Sequence, residues 1–545
     1  MNIRGNRHVL AWCAALLIAT TGVASCGVVS SDPPSEARRV LDSFAAAITK
    51  QDAAAAASLT SAQGAAVTQI GDTFDSIRAA AVSVKAGHLV EYSDDTATFD
   101  LSTTYDLGRG RTFISDTSGR ARKLSSGWRI QWEPALLAAG LTVGGRLAAV
   151  RTDATPAPAL LDRFGRPWMT LQPVNDIIID PARTPDRRRS VGDLARIIAP
   201  IAPFVTERVI DARLAAGGSK PLTVVSLRDA DMRTLAGDPN TVPGVSTRRG
   251  GALLVTDRRI SSPLTLGATG YWQALRDATA GWQVQMIDAD GTVRPLAGEQ
   301  GPPAPNVPST LDPGVQLRVN DSVVDVAQPA TLAVFDATSG ALLAAADNDA
   351  ATAVGMSLTT PDTPGSTLGP VLAAVNGAAG GSASAAATLL HQLGVGVDFA
   401  VPGVMPPQSR PGTATVQTMA FDPAAQKVTA LSMGALGVAM ARGSSVAPFF
   451  LPGLPTKVSG GALGPVDRRI WDAVNAAMTA TARTGDASDL VGAPGLRALV
   501  GTNGPMGPGW FVGIVGSQVV VIHCAGERSG SAALQVMQRF LRSVG

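Results

Sequence analysis

A Pro-Gly turn, followed by a pair of hydroxyl residues and an apolar run, is the feature that most constrains this 545-residue chain. The stretch extends from Thr363 to Pro370, and the apolar residues from Val371 to Val375 are compatible with a helix. Because Pro and Gly favour a tight turn, Ser366 is presented where that helix begins. A Ser in this place can be a helix N-cap, and it is also the setting of an activated nucleophile.

The N-terminus has the features of an export signal. A basic start precedes an apolar stretch from Val9 to Val23, which ends in Ala-Ser-Cys26. This ending resembles a bacterial lipobox, in which the Cys is lipidated and becomes the first residue. We predict a lipoprotein signal peptide over 1–26, a tether over 27–35, and a lipid-anchored protein at the outer face of the plasma membrane. The alternative is an ordinary signal peptide with an incidental Cys26.

The charge and residue types exclude several classes of function. The net charge of +2 argues against a nucleic-acid partner, which would require a strongly basic face. The three Cys and four His residues show no metal-ligand spacing, so we expect neither a metal nor a cofactor. After the signal, no uninterrupted apolar run reaches the roughly 18 residues of a membrane-spanning helix.

The first part of the mature chain predicts a small α+β unit. An Ala-rich helical stretch from Glu36 to Leu59 is followed by alternating segments between His88 and Trp132. This cone resembles the NTF2-like N-terminal domain of some class B penicillin-binding proteins. The best match is Gly127–Leu137, whose two Trp residues we interpret as core rather than as a ligand site.

Further landmarks resemble the same family, in the same order. Asp162–Pro167 resembles the opening of its non-catalytic dimerisation domain, and Thr310–Gln316 resembles the entry to its transpeptidase domain. A hairpin is predicted around Asp336–Gly340.

The resemblance implies an α+β multidomain fold with three parts. These are an NTF2-like cone at 36–150, an elongated β-rich dimerisation-like domain at 151–304, and a serine-transpeptidase/β-lactamase-like α/β/α sandwich at 305–545.

The family's first active-site motif is Ser-x-x-Lys, and its Lys is missing here. Residues i and i+3 share one helix face, so the Lys amine can take the proton of the Ser hydroxyl. In this chain Ser366 takes the place of the nucleophile, but Gly369 stands three residues later.

The second motif, Ser-x-Asn, is also incomplete. Its best match is Ser382-Ala383-Ser384, in which Ser384 replaces the Asn. Only 16 positions separate Ser366 from Ser382. We therefore interpret Ser382 and Ser384 as residues at the start of a helix rather than as catalysts.

The third motif, Lys-Thr-Gly, precedes an aromatic strand that here is Trp510–Val515. The preferred match is Thr502-Asn503-Gly504, in which both the Lys and the Thr are replaced. Arg483-Thr484-Gly485 is a rival that keeps a cation, but it lies in a helical stretch too far from Trp510.

No other lysine is well placed to act as the base. Lys427 and Lys457 are the only ones in the C-terminal part of the chain, and the family match places Lys427 at the rim of the cleft. A positioned general base contributes about 10²–10⁴-fold to a reaction rate. We expect negligible acyl transfer when the base, the amide and the carboxylate-binding cation are all missing.

These observations favour a pseudo-transpeptidase. Its expected partners are peptidoglycan stem peptides or β-lactams, and cell-wall synthesis proteins. The enzymatic alternative is a divergent DD-transpeptidase with Ser366 as its acyl nucleophile. A third interpretation is an envelope adaptor that binds its ligand in the NTF2-like cone.

Overall fold

The structure is a computed structural model that describes residues 34–405, 427–490 and 492–542. It divides into two compact units. The first consists of the described residues up to Val150 together with Trp282–Glu299, and the second of Arg151–Gly281 with the described residues from Gln300 onward. The predicted signal peptide, Cys26 and most of the tether lie outside the described residues. Within those residues, no helix combines the length and the apolar character needed to cross a bilayer.

The first unit packs helices against a curved antiparallel sheet. Its leading elements are α1 (Glu36–Thr49), α2 (Ala53–Ser58), α3 (Gln63–Ile77), β1 (Ala81–Glu91), β2 (Thr96–Asp106), β3 (Thr112–Leu124), β4 (Gly127–Ile130) and β5 (Arg146–Thr152). Strands β1 to β4 form one sheet in sequence order. Alternate residues of β2 are buried, and among them Phe99 and Tyr105 share a core with Phe44 of α1. The predicted helix over Glu36–Leu59 is therefore two helices, α1 and α2.

The middle of the chain contributes to both units. Its elements are β6 (Leu160–Leu161), β7 (Pro167–Ile179), α4 (Arg187–Ile198), α5 (Glu207–Gly217), β8 (Leu222–Leu227), α6 (Asp229–Met232), β9 (Val245–Val255), α7 (Leu264–Ala278), β10 (Gly281–Ile287) and β11 (Val293–Glu299). Strand β7 pairs with β6, β8 and β9 in the second unit. Strands β10 and β11 form a sheet with β5, and Val284 and Met286 enter the core of the first unit. One division between the compact units falls after Val150, but Trp282–Glu299, inside the expected 151–304 domain, belongs to the first unit. The domain boundaries at 150 and 304 remain predictions.

The C-terminal part of the second unit is built on a five-stranded antiparallel sheet, in the order β14-β13-β19-β18-β17. The elements from residue 305 onward are β12 (Val307–Pro308), α8 (Pro313–Val323), β13 (Ala330–Asp336), β14 (Leu342–Asp347), α9 (Asp349–Ala353), α10 (Gly369–Ala379), α11 (Ala383–Gln392), β15 (Asp398–Ala400), α12 (Ala430–Arg442), β16 (Lys457–Ser459), α13 (Arg468–Arg483), β17 (Arg497–Thr502), β18 (Gly509–Val515), β19 (Gln518–Cys524) and α14 (Ser529–Arg542). Strands β13 and β14 form the hairpin predicted around Asp336–Gly340.

Helices cover both faces of this sheet. Helix α12 packs on one face, and every residue from Ala430 to Met440 is buried. Helices α8 and α14 pack on the other face. Because both faces are covered, β18 and β19 are almost continuously buried rather than alternating. Strand β17 lies at the edge of the sheet, and Ser366 lies beside its last residue.

Candidate functional site

Ser366 lies in a short 3₁₀ turn, Gly365–Leu368, that leads directly into α10. Gly365 has a φ of +55°, a conformation that Gly adopts with little cost. A Cβ on Gly365 would also overlap the carbonyl of Thr502. The Pro-Gly turn of the sequence is therefore required both by the backbone conformation and by close contact with β17.

The Ser366 hydroxyl is exposed, and its hydrogen bonds are with the backbone of β17. It accepts the backbone N–H of Thr502 at 3.0 Å and donates to the carbonyl oxygen of the same residue at 3.2 Å. A hydroxyl can do both at once because it has one donor and two acceptor positions. Among the described residues, no Lys, Arg or His side chain forms a hydrogen bond with this hydroxyl. The structure also shows that Ser366 is not an N-cap, because it lies inside the 3₁₀ turn and caps no helix.

Two further contacts hold Thr363, three residues before Ser366, against the end of the sheet. The indole N–H of Trp510 donates to the carbonyl of Thr363 at 3.0 Å. The side-chain amide of Asn503 donates to the hydroxyl of Thr363 at 2.8 Å. The structure thus brings Ser366, Thr502 and Asn503 together, and the exposed Asn503 side chain binds the Thr363 hydroxyl.

Gly369, where the family would place a Lys, is exposed at the start of α10. A Cβ there would meet no atom of the described residues within 4 Å. The residue before it, Leu368, is fully buried, whereas Ser366 is exposed, so Leu368 does not cover the Ser366 hydroxyl. The space beside Gly369 is open, and no side chain of the described residues occupies the place of the expected amine.

The Ser382 and Ser384 pair does not belong to this site. Ser382 is the N-cap of α11 and accepts the backbone N–H of Ala385 at 3.3 Å, as expected for a residue at a helix start. It lies beyond the C-terminal end of α10, whose 11 residues span about 16 Å. The two hydroxyls, 3.1 Å apart, contact each other at the surface.

The glycine that packs against Ser366 is Gly501, not Gly504. A Cβ on Gly501 would overlap the Ser366 hydroxyl, whereas a Cβ on Gly504 would meet nothing within 4 Å. In the Lys-Thr-Gly motif, the glycine would lie against the nucleophile. By that criterion the motif would end at Gly501, three residues before the Gly504 that the sequence match uses. The Lys position then falls on Leu499, which is buried in the core. Arg483 and Thr484, the rival pair, lie at the C-terminal end of α13.

Sequence reasoning missed a contact between a histidine and a carboxylate next to this turn. The imidazole Nε2 of His523 lies 3.4 Å from Oδ2 of Asp362. Burial raises the pKa of the Asp362 carboxyl, but the contacts with His523 and with the backbone N–H of Thr363 lower that pKa more, so it lies below its usual value. The charge of Lys427, the first residue of the described range 427–490, also lowers the pKa of the Asp362 carboxyl.

A signal for part of this arrangement was present in the sequence. The two-residue turn Gly516-Ser517 joins β18 to β19 and pairs Val515 with Gln518. That register places Trp510 opposite His523. The approach of Asp362 could not be read in this way, because it comes from a loop more than a hundred residues away.

The first unit contains a separate pocket of about 530 Å³. Its lining includes Lys85, Asp100, Asp116 and Ser118, and the Ser118 hydroxyl donates to the Asp100 carboxylate at 2.8 Å.

Comparison with known families gives one match, to the first unit. The matching model is that of the NTF2-like N-terminal transpeptidase domain, and it covers residues 36–144. Residues 36–144 form an NTF2-like domain. This confirms the NTF2-like prediction for this part of the chain and relates it to proteins that carry transpeptidase domains. A search of curated proteins found no match.

Proposed function

We propose that this protein is a penicillin-binding-protein-like lipoprotein of the cell envelope, and that it is a pseudo-transpeptidase that binds or scaffolds during peptidoglycan synthesis. One observation carries the proposal. The hydroxyl of Ser366 is hydrogen-bonded in both directions to the backbone of Thr502, and Gly369 stands where a base would be required. The NTF2-like domain supports the link to transpeptidases.

The chemistry of acyl transfer explains why this arrangement favours binding over catalysis. A Ser hydroxyl becomes a nucleophile when a neighbouring base takes its proton. Here the hydroxyl donates a hydrogen bond to a peptide carbonyl oxygen, which is too weak a base to take its proton. A positioned base alone is worth about 10²–10⁴-fold. The Lys expected to bind the substrate carboxylate is also replaced, by Thr502 or by the buried Leu499.

The proposed partners follow from the position of β17 at the edge of the sheet. Strand β17 is an edge strand, and an extended peptide can pair with such an edge through main-chain hydrogen bonds. We therefore propose a peptidoglycan stem peptide or a cell-wall synthesis protein as the partner. A lipid on Cys26 would place the protein on the outer face of the plasma membrane.

One observation favours the enzymatic alternative, a divergent DD-transpeptidase. Ser366 is exposed, and the backbone N–H of Thr502 is aimed at its oxygen from 3.0 Å. The oxyanion of an acyl-transfer intermediate forms on the carbonyl oxygen of the substrate, so this N–H would stabilise it only after releasing the Ser366 hydroxyl. Covalent labelling by a penicillin distinguishes the two functions.

The deciding experiment is covalent labelling of the purified full-length chain with a fluorescent penicillin. We expect labelling no stronger than that of a Ser366→Ala variant, while an active penicillin-binding protein in the same assay is labelled strongly. Labelling of the wild type that disappears in Ser366→Ala would overturn the pseudoenzyme proposal. Calorimetric titration with a synthetic stem pentapeptide then tests the binding role.

A further inference from the structure

His523 is a fully buried histidine in the five-stranded sheet. It lies on β19 between Thr331 of β13 and Trp510 of β18, its register partners on either side. Its ring stacks on the Trp510 indole, with the ring centroids 3.9 Å apart and the planes 3° from parallel. Among the described residues, neither ring nitrogen makes a hydrogen bond of normal geometry. Burying a polar group without a hydrogen bond is unfavourable, so this position calls for a compensating partner.

The partner is the carboxylate of Asp362. The distance of 3.4 Å between Nε2 and Oδ2 is that of an electrostatic contact rather than of a well-aligned hydrogen bond. Asp362 is 35% exposed and its pKa lies below the usual value, so the carboxylate is ionised at neutral pH. His523 therefore faces a negative charge that comes four residues before Ser366.

The same segment is attached at two more points. The backbone of Asp362 exchanges two hydrogen bonds with Val428, at 2.9 and 2.8 Å. The carbonyl of the next residue, Thr363, accepts the indole N–H of Trp510. Side chains of two adjacent strands thus hold residues 362–363 from one side, and Val428 holds them from the other.

We propose that His523 is a positioning residue for the Ser366 turn. Its imidazole is fixed by stacking on Trp510, contacts the Asp362 carboxylate, and thereby sets the place of Ser366 beside Thr502. The structural alternative is that His523 only fills the core. The two interpretations differ in which backbone amides exchange faster when the imidazole is removed. A positioning role predicts faster exchange at the Ser366 turn, and a core-filling role predicts it throughout the second unit. This proposal does not depend on what the protein binds or on whether it is an enzyme.

The test compares variants of the full-length chain by hydrogen exchange. His523→Phe keeps an aromatic ring against Trp510 but removes both nitrogens, and Asp362→Asn removes the charge. His523→Gln restores a side-chain donor and is the rescue variant. Thr331→Val is the matched control, because it alters the neighbouring buried side chain on the other side of His523 and does not touch the turn.

We expect peptides covering 358–368 and 499–505 to exchange about tenfold faster in His523→Phe and in Asp362→Asn, because local opening depends on the contacts that hold a segment. Exchange in α14 should stay within about twofold of the wild type. His523→Gln should recover part of the protection, and Thr331→Val should leave the turn unchanged.

Unchanged exchange at the turn in His523→Phe and Asp362→Asn would overturn the proposal. So would an increase that is equal throughout the second unit, or one that Thr331→Val reproduces. If His523→Phe does not fold, Asp362→Asn carries the test, since its side chain is partly exposed and its backbone pairing with Val428 is kept.

Discussion

At the residue scale, Gly501 and Gly369, both near Ser366, differ in the space available for a side chain. Gly501 has no room for a side chain because the Ser366 hydroxyl and the backbone nitrogen of Thr367 occupy that space. Gly369 faces open space and has ordinary helical dihedral angles, φ −47° and ψ −53°. The packing therefore requires the first glycine and leaves the second free to change.

This difference gives a gain-of-function prediction. Gly369→Lys would restore an amine three residues after Ser366, on the same helix face, without a steric conflict. We expect Ser366-dependent labelling by fluorescent penicillin to rise above the wild-type background. It should stay far below that of an active enzyme, because a base supplies only about 10²–10⁴-fold.

Two variants control this prediction. Gly369→Met has a side chain of similar length without the amine and should not be labelled. The double variant Ser366→Ala with Gly369→Lys should lose the labelling. Equal labelling of Gly369→Lys and Gly369→Met would show that the amine does not act as the base.

At the element scale, the packing of α12 against the sheet accounts for the glycines in this buried helix. A Cβ on Gly434 would overlap the ring of Phe335 on β13, and one on Gly437 would overlap Val519 on β19. The helix therefore lies close to the sheet at both positions. Helix propensity alone would favour Ala at either position, by roughly 1 kcal/mol.

We predict that packing outweighs propensity in α12. Gly434→Ala should lower the free energy of unfolding by about 1–3 kcal/mol, the usual cost of overpacking a dense core. Gly377→Ala on α10, where a Cβ meets nothing within 4 Å, should raise it by up to about 1 kcal/mol. Denaturant unfolding of both variants measures the difference. A stabilised Gly434→Ala protein would contradict the close approach of α12 to Phe335.

At the scale of the whole molecule, the chain does not fold as a simple succession of segments. Strands β10 and β11 lie more than a hundred residues after β5, yet β10 pairs with β5, and Val284 and Met286 of β10 enter the core of the first unit. A boundary drawn from the linkers alone misses this return. The stability of each unit accordingly depends on parts of the chain that are distant in sequence.

The stability of the second unit should also depend on pH through Asp347. Burial raises the pKa of its carboxyl to about 6, although a hydrogen bond from Thr331 acts the other way. Because the folded pKa is above the ordinary value of 3.8, the folded state binds the proton more tightly than the unfolded state. The stability from this group is present at low pH and is lost as the pH rises from about 4 to about 6.

Asp347→Asn should therefore stabilise the protein at pH 7, by about 1–2 kcal/mol, and change little at pH 4. The amide oxygen can still accept the Thr331 hydroxyl. Thermal unfolding at both pH values tests this, with Asp349→Asn as an exposed control on the adjacent helix. An equal effect of Asp347→Asn at pH 4 and pH 7 would contradict a raised pKa.

The sequence by itself determined what depends on local pattern. It showed the Pro-Gly turn before α10, the hairpin of β13 and β14 and the helix start at Ser382. The NTF2-like domain and the expectation of a Lys where Gly369 stands came instead from resemblance to a known family. Turn residues, apolar periodicity and capping residues act over a few positions, so they can be read without knowing the fold.

Only the tertiary structure decided which distant residues meet. It showed that Gly501 rather than Gly504 packs against Ser366, that Asp362 faces His523, and that the Ser366 hydroxyl is bonded to Thr502. These contacts depend on strand register and on where a loop crosses the sheet. A shift of one residue along a strand turns every side chain to the opposite face, and nothing local in the sequence of the Ser366 turn fixes that register.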